Sequence, residues 1–317
     1  MTNENKTEKN SAKKKNGSLK EARKNKNDEF YTRMTDVENE LRHYKTQFKG
    51  KSVLCNCDDP EWSSFWKYFV LNFDHLGLSK LVSTHYKKDG SPSCKMEYDG
   101  TKDAQGNPSP VRTPLSGDGD FRSPECVALL EGCDVVVTNP PFSLFKEYVA
   151  MLDTSGKKFL VIGNFNAVSY KEIFRMVKSN KLWLGVSPRS MDFINIEGKI
   201  KTVNAAWFTN LDNKKRHESL PLYKTYEGNE ATYPKYDNYD AINVDKVKDI
   251  PVDYFGEMGV PITFLDKHNL AQFQILDINP HFFSVVDSGK PKPDQLRISG
   301  RKDPYARLLI KRKKDTP

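Results

Sequence analysis

Between residues 50 and 190 the chain switches repeatedly between two hydrophobic periods. The runs SVLC, LVST, VVVT and FLVI are short, contiguous and rich in β-branched residues, the pattern of strands buried on both faces. Between them, apolar residues recur at helical spacing. EWSSFWKYFVLNF carries Trp62, Phe65, Trp66, Phe69, Val70 and Phe73, and SPECVALLEGC, FSLFKEYVAML and YKEIFRMVKSN follow the same rule. An earlier helix is expected within NDEFYTRMTDVENELRHYKTQF, capped by Asp36 and carrying Val37, Leu41 and Tyr44. Strand and helix in alternation predict an α/β fold with a doubly wound, mostly parallel sheet. A polar Gly/Pro/Lys-rich insertion from about Lys87 to Pro114 interrupts the series, and GDGDF (Gly117 to Phe121) predicts a tight turn. From about Ser187 the alternation stops. Isolated strands such as TVNAAWFTNL and VPITFL stand among tyrosine-rich polar loops, so residues 191–300 are expected to be irregular, with late core strands.

Composition narrows the class. A chain of 317 residues, 37% apolar and 29% charged, buries a sizeable core as one large domain or a domain with an appended subdomain. No apolar run approaches the roughly 20 residues of a membrane span, and the lysine-rich start has no apolar stretch behind it, so a cytoplasmic protein is expected. Five cysteines at irregular spacing, without a CxxC pair, argue against a disulfide framework and against a zinc site, and no metal is expected. The net charge of +8 is concentrated at the ends, with +6 in residues 1–27 and +5 in residues 301–317, leaving the body slightly acidic. Basic tails of this kind suit a polyanionic partner such as nucleic acid, although solvated ends would look the same. The expected organisation is a disordered basic tail over 1–27, an α/β domain over 28–190, a later region with core strands over 191–300 and a second basic tail over 301–317.

VVVTNPPF, Val135 to Phe142, points to a site. Prolines cannot continue a buried strand, so the strand must end at Asn139, and in open α/β sheets ligands sit at that carboxyl edge. The Asn-Pro-Pro-aromatic pattern resembles the signature of methyltransferases that modify exocyclic amino nitrogens using S-adenosylmethionine. The Asn139 amide oxygen and the Pro140 carbonyl supply two acceptors for the two N–H groups of such an amine, Pro141 helps to fix the turn, and the Phe142 ring offers a stacking surface for an extruded base. The other reading of NPPF is a plain strand-ending turn. No GxxxxGK loop, HExxH pair or nucleophile elbow is present.

DEFYT, CNCDDP, GDGDFR, VVTNPPFSLF, YPKYDNYDAINV and GVPITFL, in this order over residues 27–275, resemble the EcoRI-type adenine-specific DNA methyltransferase family of the gamma motif order. The resemblance implies the S-adenosylmethionine-dependent methyltransferase fold with a C-terminal target-recognition region. It also implies duplex DNA as substrate, methyl transfer to adenine N6 by base flipping, and a restriction-modification setting in which a separately encoded endonuclease is a possible partner. It matches Tyr31 and Thr32 to the motif that meets the methionine part of the cofactor, and Asp120 and Phe121 to the groups that hold its adenine. It places Trp207 where this class often keeps an aromatic residue on the far face of the base. For Tyr31, Thr32, Phe121 and Trp207, ordinary packing is the competing reading.

One element departs from the family. The cofactor strand ends in CNCDDP where relatives carry a glycine-rich loop, so Cys55, Asn56, Asp58 and Asp59 stand in for it, Cys57 being the second small residue of the run; Asp59 would equally cap the next helix. The following strand, LVSTHY, has no acidic residue for the ribose hydroxyls. These departures keep open a catalytically inactive DNA-binding relative. Transfer to cytosine N4, to RNA or to a protein glutamine is also compatible with the same turn chemistry. The tyrosines of 233–239 and the basic KKRH of Lys214 to His217 offer DNA contacts or solvated loops.

Overall fold

A computed structural model describes residues 31–57, 59–194, 199–279, 296–300 and 306–314. The N-terminal basic stretch 1–27 and Asp58 lie outside the described residues.

The chain begins with β1 (Tyr31–Thr32) and α1 (Met34–Leu41), then β2 (Ser52–Cys55), α2 (Ser64–Leu71), α3 (Phe73–Leu76) and β3 (Lys80–Thr84). The polar insertion forms β4 (Cys94–Tyr98) and β5 (Val111–Pro114). After α4 (Pro124–Glu131) come β6 (Val135–Thr138), α5 (Phe145–Thr154), β7 (Lys158–Asn164), α6 (Lys171–Lys178) and β8 (Trp183–Leu184). The remainder is strand and loop: β9 (Met191–Ile194), β10 (Ile200–Val203), β11 (Ala205–Thr209), β12 (Lys235–Tyr236), β13 (Tyr239–Asn243), β14 (Glu257–Pro261), β15 (Phe273–Asn279) and β16 (Arg307–Arg312).

An eight-stranded sheet in the order β5-β4-β3-β2-β6-β7-β11-β8 forms the centre. The pairings β3–β2, β2–β6 and β6–β7 are parallel, and those at both flanks are antiparallel. The sheet is therefore mixed, with a parallel heart, where the hydrophobic runs alone suggest a mostly parallel one. The insertion accounts for one flank, since it folds back as a hairpin on β3. Alternate residues of the central strands divide between two cores. Val53, Cys55, Leu81, Val135, Val137, Leu160 and Ile162 pack with Val37 and Leu41 of α1 and Phe65, Trp66 and Phe69 of α2. Leu54, Val82, Val136, Phe159 and Val161 pack with Phe145, Tyr148 and Leu152 of α5 and with Ile173 and Phe174 of α6. Helices thus cover both faces, which is why these strands read as continuous apolar runs.

Local boundaries differ in instructive ways. The helix at EWSSFWKYFVLNF starts only at Ser64, because the Ser63 hydroxyl accepts from Phe65 N and Trp66 N and caps it there. Trp62, left outside, is exposed. Arg33, not Asp36, occupies the cap position of α1, and Asp36 sits in its first turn, ion-paired to Arg33.

The C-terminal region is more regular than expected. Strands β12-β13-β14-β16-β15 form a second sheet, whose Ile242, Val260, Ile275, Leu308 and Ile310 join the core on the α5–α6 side. Its β16 comes from the stretch expected to be a basic tail. Leu308, Leu309 and Ile310 are fully buried there, paired on one side with β14 and on the other with β15. Counting charge over 301–317 conceals this strand, because three apolar residues lie between basic ones. Tyr233 and Tyr236 are likewise core residues of this region, and the Tyr236 hydroxyl donates to Asn243 Oδ1 at 2.8 Å.

Candidate active site

The carboxyl ends of β2, β3, β6 and β7 open on one edge of the central sheet, because all four run parallel. Most of the residues singled out from the sequence converge there. Asn139 follows β6 directly and is 9% exposed; Pro140 is buried beside it. The chain then turns, Leu144 N donating to the Pro141 carbonyl at 2.9 Å, and enters α5. Phe142 is half-buried, its ring edge-on to Phe193 at 6.0 Å.

Phe193 ties this turn to the N-terminal motif. It lies on β9, opposite Thr32 of β1, while Tyr31 pairs with Ile194. Thr32 is buried, and its carbonyl accepts from the Ser64 hydroxyl at the start of α2 at 2.6 Å. Two residues more than a hundred positions from NPPF in the chain are thereby held at its side.

The β2 end joins in through Cys57, whose N–H donates to Thr138 Oγ1 at 3.2 Å, the last residue of β6. Cys55 is fully buried, and its carbonyl accepts from Ser83 Oγ at 2.9 Å. Asn56 is 2% exposed, and its Oδ1 accepts a hydrogen bond from the Tyr148 hydroxyl of α5. Burial pushes the Tyr148 phenol well above its ordinary pKa, so it stays protonated and acts as donor. Phe121 packs edge-on to the same Tyr148 ring at 5.0 Å, which brings the GDGDF turn to this edge. Gly119 makes that possible: its φ is +83°, and a Cβ there would lie 2.0 Å from the His85 carbonyl oxygen.

Two carboxylates have other partners. Asp120 is held by Arg122 through contacts of 2.6 and 2.9 Å, and this hydrogen-bonded guanidinium lowers its pKa, keeping it ionised. A carboxylate has lone pairs to spare after such a pairing. Asp59 does not cap α2; its Oδ1 accepts from Glu61 N at 2.9 Å, and its Oδ2 lies 3.5 Å from His85 Nε2. Burial lowers the pKa of His85, against the pull of Asp59.

Trp207 lies inside the core, in the cluster that also takes in Phe193. It is 1% exposed on β11 and meets Phe65 edge-on at 5.8 Å, which is the packing reading of this residue. The KKRH segment is also occupied structurally, with Arg216 stacked on Trp183 at 3.4 Å and Lys215 Nζ donating to the Val186 carbonyl at 3.1 Å. These residues border a cavity beside β8, at the opposite end of the sheet from Asn139. Among the described residues no cluster of three or more His, Cys, Asp or Glu side chains could hold a metal, and no helix is long and apolar enough to cross a membrane.

Comparisons with known proteins give the family of the whole chain. The family model for adenine-specific methyltransferase EcoRI matches residues 18–313. The chain belongs to this family. Its relatives include type II methyltransferase M.EcoRI of Escherichia coli, 46% identical over 93% of this chain and 96% of the relative. Type II methyltransferase M.MpnI of Mycoplasma pneumoniae is 39% identical, over 93% of this chain and 98% of the relative. Type II methyltransferase M.MgeORF184P of Mycoplasma genitalium is 37% identical, over 92% and 97% respectively. No solved structure matches significantly. The family match reaches past the 27–275 span of the quoted motifs and takes in β16.

An adenine-specific methyltransferase requires a methyl donor, and the sheet edge fits a polar one. Thr32 Oγ1, Asn56 Nδ2, Thr84 Oγ1 and His85 Nδ1 are buried there without a hydrogen-bond partner among the described residues. Leaving such atoms unpaired costs about 1–3 kcal/mol each, so four at one edge mark a place for a ligand with several hydroxyl, amino or carboxylate groups. Tyr148, Phe193, Ser64, Thr84 and His85 belong to this edge but were not marked by any motif. Only the apolar spacing of α5 hinted at Tyr148, and as a core residue.

Proposed function

We propose that this methyltransferase transfers a methyl group from S-adenosylmethionine to N6 of an adenine turned out of duplex DNA. In the cell it would be the modification half of a restriction system whose endonuclease is encoded separately. The observation that carries the reading is the position of Asn139 and Pro140: buried, at the end of a central parallel strand, beside the Thr32, Asn56 and Phe121 elements.

In this reading the Asn139 amide oxygen and the Pro140 carbonyl accept the two N–H groups of the target amine. That draws the nitrogen toward a pyramidal geometry and turns its lone pair outward, offsetting its delocalisation into the ring. The prolines hold the carbonyl direction without any adjustment during the reaction. Phe142, braced by Phe193, stacks on the extruded base. Thr32 and Tyr31 meet the methionine portion of the cofactor; Cys55, Asn56 and Asp59 line its middle, with Asp58 next to them in the sequence. Asp120 and Phe121 hold its adenine, Asp120 accepting through the oxygen lone pairs that Arg122 leaves available. When bound, the cofactor supplies an activated methyl on a sulfonium that departs as a neutral thioether, so the amine proton is lost afterwards and no strongly shifted base is needed.

The test is transfer of labelled methyl from S-adenosylmethionine to duplex DNA, RNA or protein, followed by hydrolysis and chromatography of the product. N6-methyladenine in duplex DNA is expected. N4-methylcytosine as sole product, or label in RNA or protein alone, overturns the assignment, and cofactor binding without any transfer supports an inactive relative. Long-read sequencing of host DNA identifies the modified motif.

A further inference from the structure

The strand after the cofactor strand has no acidic residue at its end, although in nucleotide-binding α/β folds that position commonly supplies the acceptor for ribose hydroxyls. The structure offers a different pair of groups. Asn56 and Thr84 each come one residue after paired neighbours, since Cys55 lies opposite Ser83 in the parallel β2–β3 ladder. By strand alternation both side chains belong to the face of Leu54 and Val82, which is also the face of Tyr148 and Phe121. Thr84 is fully buried and its Oγ1 has no hydrogen-bond partner among the described residues; the same holds for Nδ2 of Asn56, which is 2% exposed.

The Asn56 amide is not free to rotate. Tyr148 donates to its Oδ1, which leaves Nδ2 as the amide's donor, buried and without a partner among the described residues. A buried amide donor next to a buried hydroxyl suits a ligand group that accepts from the amide and exchanges a hydrogen bond with the threonine in either direction, as a ribose hydroxyl does. An ammonium accepts nothing from Asn56, and the position at the end of the strand after the cofactor strand is where nucleotide-binding α/β folds meet a ribose.

We infer that Asn56 and Thr84 together bind one ribose hydroxyl of the methyl donor, in place of the missing carboxylate, with Tyr148 as the positioning residue that sets the amide. The inference rests on the S-adenosylmethionine reading above and adds the subsite. A neutral pair has a consequence that a carboxylate lacks: recognition of the ribose carries no charge and is insensitive to salt.

The experiment is calorimetric titration of the full-length protein with S-adenosylhomocysteine and with its 2′-deoxy and 3′-deoxy analogues. For the unmodified protein, one of the two deoxy analogues is expected to bind about tenfold more weakly than the ribose compound. Thr84→Val keeps the shape and removes the hydroxyl. It is expected to lose about tenfold on the ribose compound and nothing further on that same deoxy analogue. Tyr148→Phe is expected to weaken the ribose compound more than the deoxy one, while a thermal melt shows the variant folded. The subsite is overturned if both deoxy analogues bind the unmodified protein as tightly as the ribose compound, or if Thr84→Val weakens all three ligands equally. Absence of any heat with S-adenosylhomocysteine at millimolar concentration overturns the cofactor reading itself, a different result from either of these.

Discussion

Replacing Asn139 with alanine separates chemistry from folding. The side chain leaves the end of β6 at 9% exposure and supplies one of the two acceptors assigned to the target amine. Removing a preorganised polar group that acts on developing charge in a buried site typically lowers the rate by about 10²–10³, or roughly 3–4 kcal/mol of barrier. Stability should change much less. The truncation removes one polar side chain in a turn held by Pro140, Pro141 and the Leu144–Pro141 hydrogen bond, for which about 1 kcal/mol is a reasonable loss. Single-turnover transfer of labelled methyl to a duplex containing the host motif measures the first quantity, and urea denaturation the second. Affinity for S-adenosylhomocysteine and for duplex DNA should stay within about threefold, since neither depends on the amine acceptor. A rate loss below tenfold, or a rate loss matched by equal losses in cofactor and DNA affinity, refutes the role given to this amide.

Gly119→Ala should cost more than about 2 kcal/mol in urea denaturation, because φ is +83° and the added Cβ meets the His85 carbonyl; a loss under 0.5 kcal/mol, read as roughly the error of the method, would show that the turn has room to move. Trp207→Phe should lower stability by about 1–2 kcal/mol and leave methyl transfer per folded molecule within about twofold. A hundredfold fall in transfer with unchanged stability would instead place that ring on the target base. His268 is largely buried, and this burial lowers its pKa from 6.5 to about 4, against a hydrogen bond with the Phe273 carbonyl. Its contribution is therefore fully present above pH 6.5 and is lost as the pH falls toward 4, by at most on the order of 3 kcal/mol. His268→Gln should shrink the stability difference between pH 7 and pH 4.5 in matched urea titrations, and an unchanged difference would refute the assignment.

Much of this enzyme is legible in one dimension because its active edge is built on strands that are apolar from end to end. A strand buried on both faces shows itself as a contiguous run, and two prolines behind it can only mean that the strand stops, so VVVTNPPF marks both a central position and its carboxyl edge. GDGDF was legible for a similar reason, as a local turn whose glycines its own backbone requires, whereas DEFYT and CNCDDP were marked by resemblance to the family. What the sequence did not reveal depends on contacts between distant segments. Thr32 reaches the site only because β1 pairs with β9, and Phe193 braces Phe142 only through that pairing. RLLIKR looks like part of a charged tail until β14 and β15 close on either side of it. Trp207 reads equally as a stacking ring or a core ring, and only the fold shows it buried opposite Ile162 with Phe65 at its edge. Asn56 was marked in CNCDDP but Thr84 was not; the parallel ladder brings their strand ends together, Cys55 opposite Ser83, and a tyrosine 92 positions away orients the amide. Local backbone chemistry thus determined which residues could act, and the long-range register of the sheet determined which of them meet.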